Sequence, residues 1–177
     1  VLPRHAEAHY NRGVVLAEMN RFEEAVESYD SALALQPDFV PALGNRGIAL
    51  WTMKLHDAAL ESYDRALTLQ PDFAAALYNR GLVLADMKRF GDAVADYDRA
   101  LRITPDSPDI LSSRGLALLD MQRFADALAS FDAALALAPG DARTLTNRGV
   151  TLGALKRPAE ALASHDRALA IQPGLAA

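Results

Sequence analysis

The chain has no cysteine, which excludes disulfides and thiolate metal sites and leaves its redox compartment open. No apolar run approaches the roughly 18 residues of a membrane span, and no charged-then-apolar leader opens the sequence, so a cytoplasmic protein is expected. Basic residues are in the minority. Eighteen Lys and Arg against 23 Asp and Glu give a net charge of -5, which argues against nucleic acid, because phosphates are gripped by clustered cations. A neutral or basic partner fits better. Aromatics make up only 7%, with one tryptophan, Trp51, and neither a phosphate loop nor a G-x-G-x-x-G motif occurs. What remains, 51% hydrophobic and 23% charged over 177 residues, is an ordinary composition for one domain spanning 1–177.

What is present is a period. The stretch from Ala74 to Ser107, AAALYNRGLVLADMKRFGDAVADYDRALRITPDS, recurs in register through the chain, without insertions. A shift of thirty-four residues aligns Gly13, Gly47, Gly81, Gly115 and Gly149, each preceded by arginine, and likewise Ala25, Ala59, Ala93, Ala127 and Ala161. It also aligns Pro37, Pro71, Pro105, Pro139 and Pro173. Five units follow, 6–39, 40–73, 74–107, 108–141 and 142–175, with Val1 to His5 as a lead-in outside them. A fixed period of this length signals a stacked repeat array.

Within each unit the apolar residues recur at helical spacing twice. In the first, Val15, Leu16 and Met19 are followed by Phe22, Val26, Tyr29 and Leu33. Each unit therefore reads as two helices of about fourteen residues, about 21 Å long. Asn20 and Arg21 form the turn, and Pro37 stops the second helix because it cannot extend the hydrogen-bond ladder. Pro108 suits a first helical turn. The fifth unit departs most, with Pro158 and His165 at aromatic places.

Leu77, Gly81, Leu84, Ala93, Tyr97, Ala100 and Pro105 fall at the spacing of the tetratricopeptide repeat, which the chain resembles over nearly its whole length. The resemblance implies an all-α fold, a right-handed superhelical α-solenoid of five tandem 34-residue helix-turn-helix units, with the first helix of each unit lining a concave groove. One departure is systematic. Where the family pattern usually has an apolar residue before the glycine, this chain has arginine, and a matching aspartate recurs on the second helices. Helical geometry places each aspartate on the edge facing the next unit, so structural pairs are expected between Asp30 and Arg46, Asp64 and Arg80, Asp98 and Arg114, and Asp132 and Arg148. Arg12 and Asp166 then lack partners; the alternative is pairing inside one unit.

The candidate peptide-binding groove comprises Tyr10, Asn11, Asn45, Trp51, Tyr78, Asn79, Ser113 and Asn147. Asparagine holds one place in four units and Ser113 interrupts the row. An amide offers a donor and an acceptor, so such a row can hold the main chain of an extended peptide whatever its sequence; the alternative is that the amides bond neighbouring backbone. The row resembles the asparagine ladder of O-linked N-acetylglucosamine transferases. Trp51 reads as an anchor for an apolar or basic side chain, or as a residue partly buried between units. Glu7, Glu18, Asp86, Asp109 and Asp120 flank the groove against Arg143, favouring a basic ligand. The carboxylate clamp of chaperone-binding family members is not matched. Its places hold Tyr10, Val14, Asn45, Ala75 and Asn79, of which Asn45 alone fits.

His5, His9, His56 and His165 are scattered, without a nucleophile or a third metal ligand beside them, so no catalytic centre, metal or cofactor is expected. The reading is a protein-interaction scaffold, not an enzyme, binding an extended, neutral to basic protein segment. The alternative is the substrate-recognition region of a larger glycosyltransferase whose catalytic domain lies elsewhere. The absence of a polar capping helix predicts either a longer natural array or end-to-end self-stacking through the termini.

Overall fold

The computed structural model describes residues 3–172. Among these, all regular secondary structure is helical, in ten helices: α1 (Pro3–Glu18), α2 (Phe22–Leu35), α3 (Val40–Thr52), α4 (His56–Leu69), α5 (Ala74–Asp86), α6 (Phe90–Ile103), α7 (Pro108–Asp120), α8 (Phe124–Leu137), α9 (Ala142–Ala154) and α10 (Pro158–Ile171). The first helix begins at Pro3, so His5 belongs to it and not to a lead-in. The last repeat's proline, Pro173, lies outside the described residues, as do Gly174 and the end of the fifth unit.

Each first helix ends in the same way. Asn20, Lys54, Lys88, Gln122 and Lys156 adopt φ between 57° and 63°, and the following N–H reaches back five residues, as from Arg21 to the Leu16 carbonyl (2.9 Å) and from Leu55 to that of Leu50 (2.9 Å). This bond satisfies a carbonyl left over at the helix end and reverses the chain into the next helix within two residues. Prolines then mark helix starts, where a missing N–H costs little. Pro108 and Pro158 open α7 and α10, so the proline that departs from the repeat pattern in the fifth unit fits its helix.

The chain divides into two compact units, up to Val83 and from Leu84 on, with the division inside α5. In the first, α1 packs on α2 and α3 on α4, with α2 also on α3. Small residues set these crossings. Ala25, Ala32, Ala59 and Ala66 are fully buried, and a Cβ added to Gly47 would come within 2.6 Å of the Tyr63 ring. In the second, α7 packs on α8 and α9 on α10, with α6 on α7 and α8 on α9. Phe131 lies over Gly115 and His165 over Gly149, so the imidazole takes the place that tyrosine holds elsewhere. The core of each unit thus contains glycine–aromatic contacts among its buried alanines and leucines.

Candidate peptide-binding face

The groove candidates all stand on first helices: Tyr10 and Asn11 on α1, Asn45 and Trp51 on α3, Tyr78 and Asn79 on α5, Ser113 on α7 and Asn147 on α9. Asn11 is exposed and the others are half-buried. The structure gives the asparagines two different roles. Asn45 donates from Nδ2 to the Tyr10 hydroxyl (3.2 Å), joining α3 to α1, whereas the amides of Asn11, Asn79 and Asn147 make no side-chain hydrogen bond among the described residues. Tyr10 is itself held by ring contacts, 5.1 Å from Phe39 and 6.1 Å from Tyr29. One turn beyond each asparagine or serine place stands an apolar side chain, and Ile48, Leu116 and Val150 are 40%, 39% and 51% exposed. An amide beside an exposed apolar residue, as at Asn45 and Ile48 and at Asn147 and Val150, offers both hydrogen bonds and side-chain contact.

In the first unit this face holds a pocket of about 290 Å³ lined by Val14, Ala17, Glu18, Phe22, Tyr29, Asn45, Ile48 and Ala49. Burial pushes the Tyr29 phenol up to about 12, with nearby Tyr10 and Glu18 adding to the shift and the Asn45 amide opposing it. Tyr63, the same residue one repeat on, is raised by burial, and its hydroxyl is buried without a partner.

On another edge of the repeats, the arginines join three helices at a time. Nε of Arg46 bonds Asp30 (2.7 Å) and its Nη1 bonds Ser62 (2.7 Å). Arg114 joins Asp98 (2.6 Å) to Ser130 (2.7 Å), and Arg148 joins Asp132 (2.6 Å) to Ser164 (2.7 Å) in the same manner. Arg80 bonds Asp64 at 2.5 Å. Arg12 donates to Ser28, and Asp166 has no ion-pair partner among the described residues. The serines escaped the sequence reading, although Ser28, Ser62, Ser130 and Ser164 recur at the repeat interval two residues before each aspartate. They are at most 2% exposed, and each also donates to the carbonyl four residues back, as Ser62 does to Ala58 (2.9 Å). A second pocket of about 300 Å³ surrounds the Asp30–Arg46–Ser62 joint, but those three groups already satisfy one another.

Among the described residues no group of three His, Cys, Asp or Glu side chains is placed to hold a metal ion, and no helix is long and apolar enough to cross a membrane.

Three family models, each described as tetratricopeptide repeat, match residues 6–39, 45–108 and 106–173. The chain belongs to the tetratricopeptide repeat family. No curated protein sequence matches it. Among solved structures it is similar to YrrB, described as a TPR protein with an unusual peptide-binding site, at 25% identity and a TM-score of 0.82 over 94% of this chain and 86% of that one. It is also similar to MamA from Desulfovibrio magneticus RS-1, at 18% identity and a TM-score of 0.91 over 98% of both chains. A further MamA structure matches at 20% identity and a TM-score of 0.89, over 97% of this chain and 94% of the other. The MamA likenesses concern the fold alone.

Proposed function

We propose that this chain is a protein-interaction scaffold that holds an extended, neutral to basic segment of another protein along its first-helix faces. The observation that carries this reading is the recurrence on the first helices of amides without side-chain partners (Asn11, Asn79, Asn147) and, one turn beyond the amide or serine place, of apolar side chains, of which Ile48, Leu116 and Val150 are exposed; the two coincide at Asn147 and Val150. The likeness to YrrB, a protein described as having a peptide-binding site, supports it. The test is an array of twelve-residue peptides probed with the wild-type chain and with Asn11→Ala/Asn79→Ala. Each lost hydrogen bond of about 1 kcal/mol weakens binding about fivefold. Undiminished binding by the double variant removes the amides from the mechanism, and binding abolished only by second-helix substitutions removes the groove.

The same recurrence of asparagine favours a second reading, the substrate-recognition region of a larger glycosyltransferase. The complete coding sequence decides it, by encoding such a catalytic domain or not. End-to-end association of copies has its own support. Val15 is 54% exposed where Ala49 and Thr151 are buried, Leu162 is 62% exposed where Leu128 is 7%, and Asp166 lacks its arginine. Light scattering that finds a monomer at all concentrations, for wild type and Asp166→Arg alike, excludes it.

A further inference from the structure

The pocket between α1, α2 and α3 has a lining that bears on what the groove selects. Its walls are apolar, from Val14 and Ala17 on α1 and from Ile48 and Ala49 on α3, and its aromatic side is formed by Phe22 and Tyr29 of α2. Glu18 supplies its one carboxylate, on an exposed side chain. Asn45, the remaining polar wall, already uses Nδ2 on the Tyr10 hydroxyl and keeps an acceptor oxygen. No cationic side chain lines the cavity.

The space exists because of small residues. The repeat shift brings Trp51 to the place of Ala17, Thr52 to that of Glu18 and His56 to that of Phe22; in the fourth repeat the place of Ala17 is taken by Leu119. The second repeat therefore carries a bulky ring where the first has a methyl group, and no carboxylate. The second and fourth repeats thus lack this combination, whereas the third keeps it in sequence, with Ala85, Asp86 and Phe90.

We infer that the pocket between α1, α2 and α3 receives a long basic side chain, lysine or arginine, from the bound segment, with Glu18 meeting its charge. This rests on the groove reading above. The alkyl stem of such a side chain covers apolar wall while its head stays near water, which suits a cavity that is greasy within and acidic on an exposed side. The Phe22 and Tyr29 rings add attraction for a cation. A neutral apolar side chain fits the walls but leaves Glu18 without a partner, and an acidic one is repelled by it. The net charge of -5 attracts the same kind of ligand at longer range.

The test uses twelve-residue peptides found to bind on the array, each compared with copies in which every Lys or Arg in turn is changed to Gln. Their affinities are measured by fluorescence anisotropy against wild type, Glu18→Gln and Ala17→Leu. One basic position is expected to matter: its change to Gln weakens binding about fivefold to wild type and not at all to Glu18→Gln, the non-additivity expected of two groups in contact. Ala17→Leu, which fills the cavity with the residue found at 119, gives the same loss with the charge intact. If Glu18→Gln binds every peptide as wild type does while Asn11→Ala/Asn79→Ala binds weakly, the pocket inference falls and the groove stands. If no peptide binds, or the asparagine variant binds undiminished, both fall. Lysine and arginine copies of the responsive peptide tell the two cations apart.

Discussion

At the scale of single residues, the fold depends on a glycine meeting a ring. Gly47 lies on α3, and a methyl group there would have to share space with Tyr63, whose ring is fully buried and cannot swing away. Alanine would otherwise favour a helix by roughly 1 kcal/mol over glycine. The overlap outweighs that gain for a larger side chain. Gly47→Val is expected to lose about 1 to 3 kcal/mol, seen as a lower midpoint in urea. Tyr29 ties the same packing to pH. Its folded pKa, about 12, lies above the value of about 10 for an exposed phenol, so the folded chain keeps a proton that the unfolded chain releases. Stability is whole below pH 10 and falls as pH rises from about 10 to 12. Tyr63, raised by burial, adds to the fall. Thermal midpoints between pH 8 and 11.5 are expected to decline less steeply for Tyr29→Phe.

At the scale of elements, the turn between paired helices holds an uncommon choice of residue. Lys54 has φ of 63°, a left-handed conformation that side chains resist by about 1 to 2 kcal/mol and glycine does not. Glycine's extra freedom when unfolded offsets about half of this. Lys54→Gly is therefore expected to stabilise by about 0.5 kcal/mol, measurable as a raised thermal midpoint. The arginine joints call for a comparison of partners. The arginine side chains in the pairs are 20–25% exposed and the aspartates 43–61%. Asp30→Asn is expected to cost well under 1 kcal/mol, as exposed pairs do. Ser62→Ala removes a buried hydroxyl that accepts from Arg46 and donates to the Ala58 carbonyl, for an expected cost of about 1 kcal/mol or more. A larger loss for Asp30→Asn than for Ser62→Ala in denaturant melts would mean that the aspartate, and not the serine, holds the joint.

At the scale of the whole molecule, repeats that contact only neighbours lose order from where contacts are fewest. Leu162 and Leu169 of α10 are 62% and 40% exposed, while Leu128 and Leu135 at the same places of α8 are 7% and 8% exposed. Hydrogen exchange is expected to be faster in α10 than in α8; equal protection would mean that these leucines are covered in solution.

The period, the paired helices and their turns were legible in the sequence because a helix states its buried face every three to four residues and the array states it five times. The facing of aspartate to arginine followed from helical geometry for the same reason, whereas the serine at each joint was passed over because a lone hydroxyl carries no signal until its burial is known. How the amides pair was not legible. Asn11, Asn45, Asn79 and Asn147 are one residue type at one repeat place, yet Asn45 alone bonds Tyr10. The repeat brings Gly44 and Ser112 to the places of Tyr10 and Tyr78, so each amide meets different surroundings. The sequence by itself determined which residues recur and therefore which helices form and pair. Only the tertiary structure decided which recurring groups are consumed by one another and which stay open to a partner, because distance and burial arise between helices and are written in neither one alone.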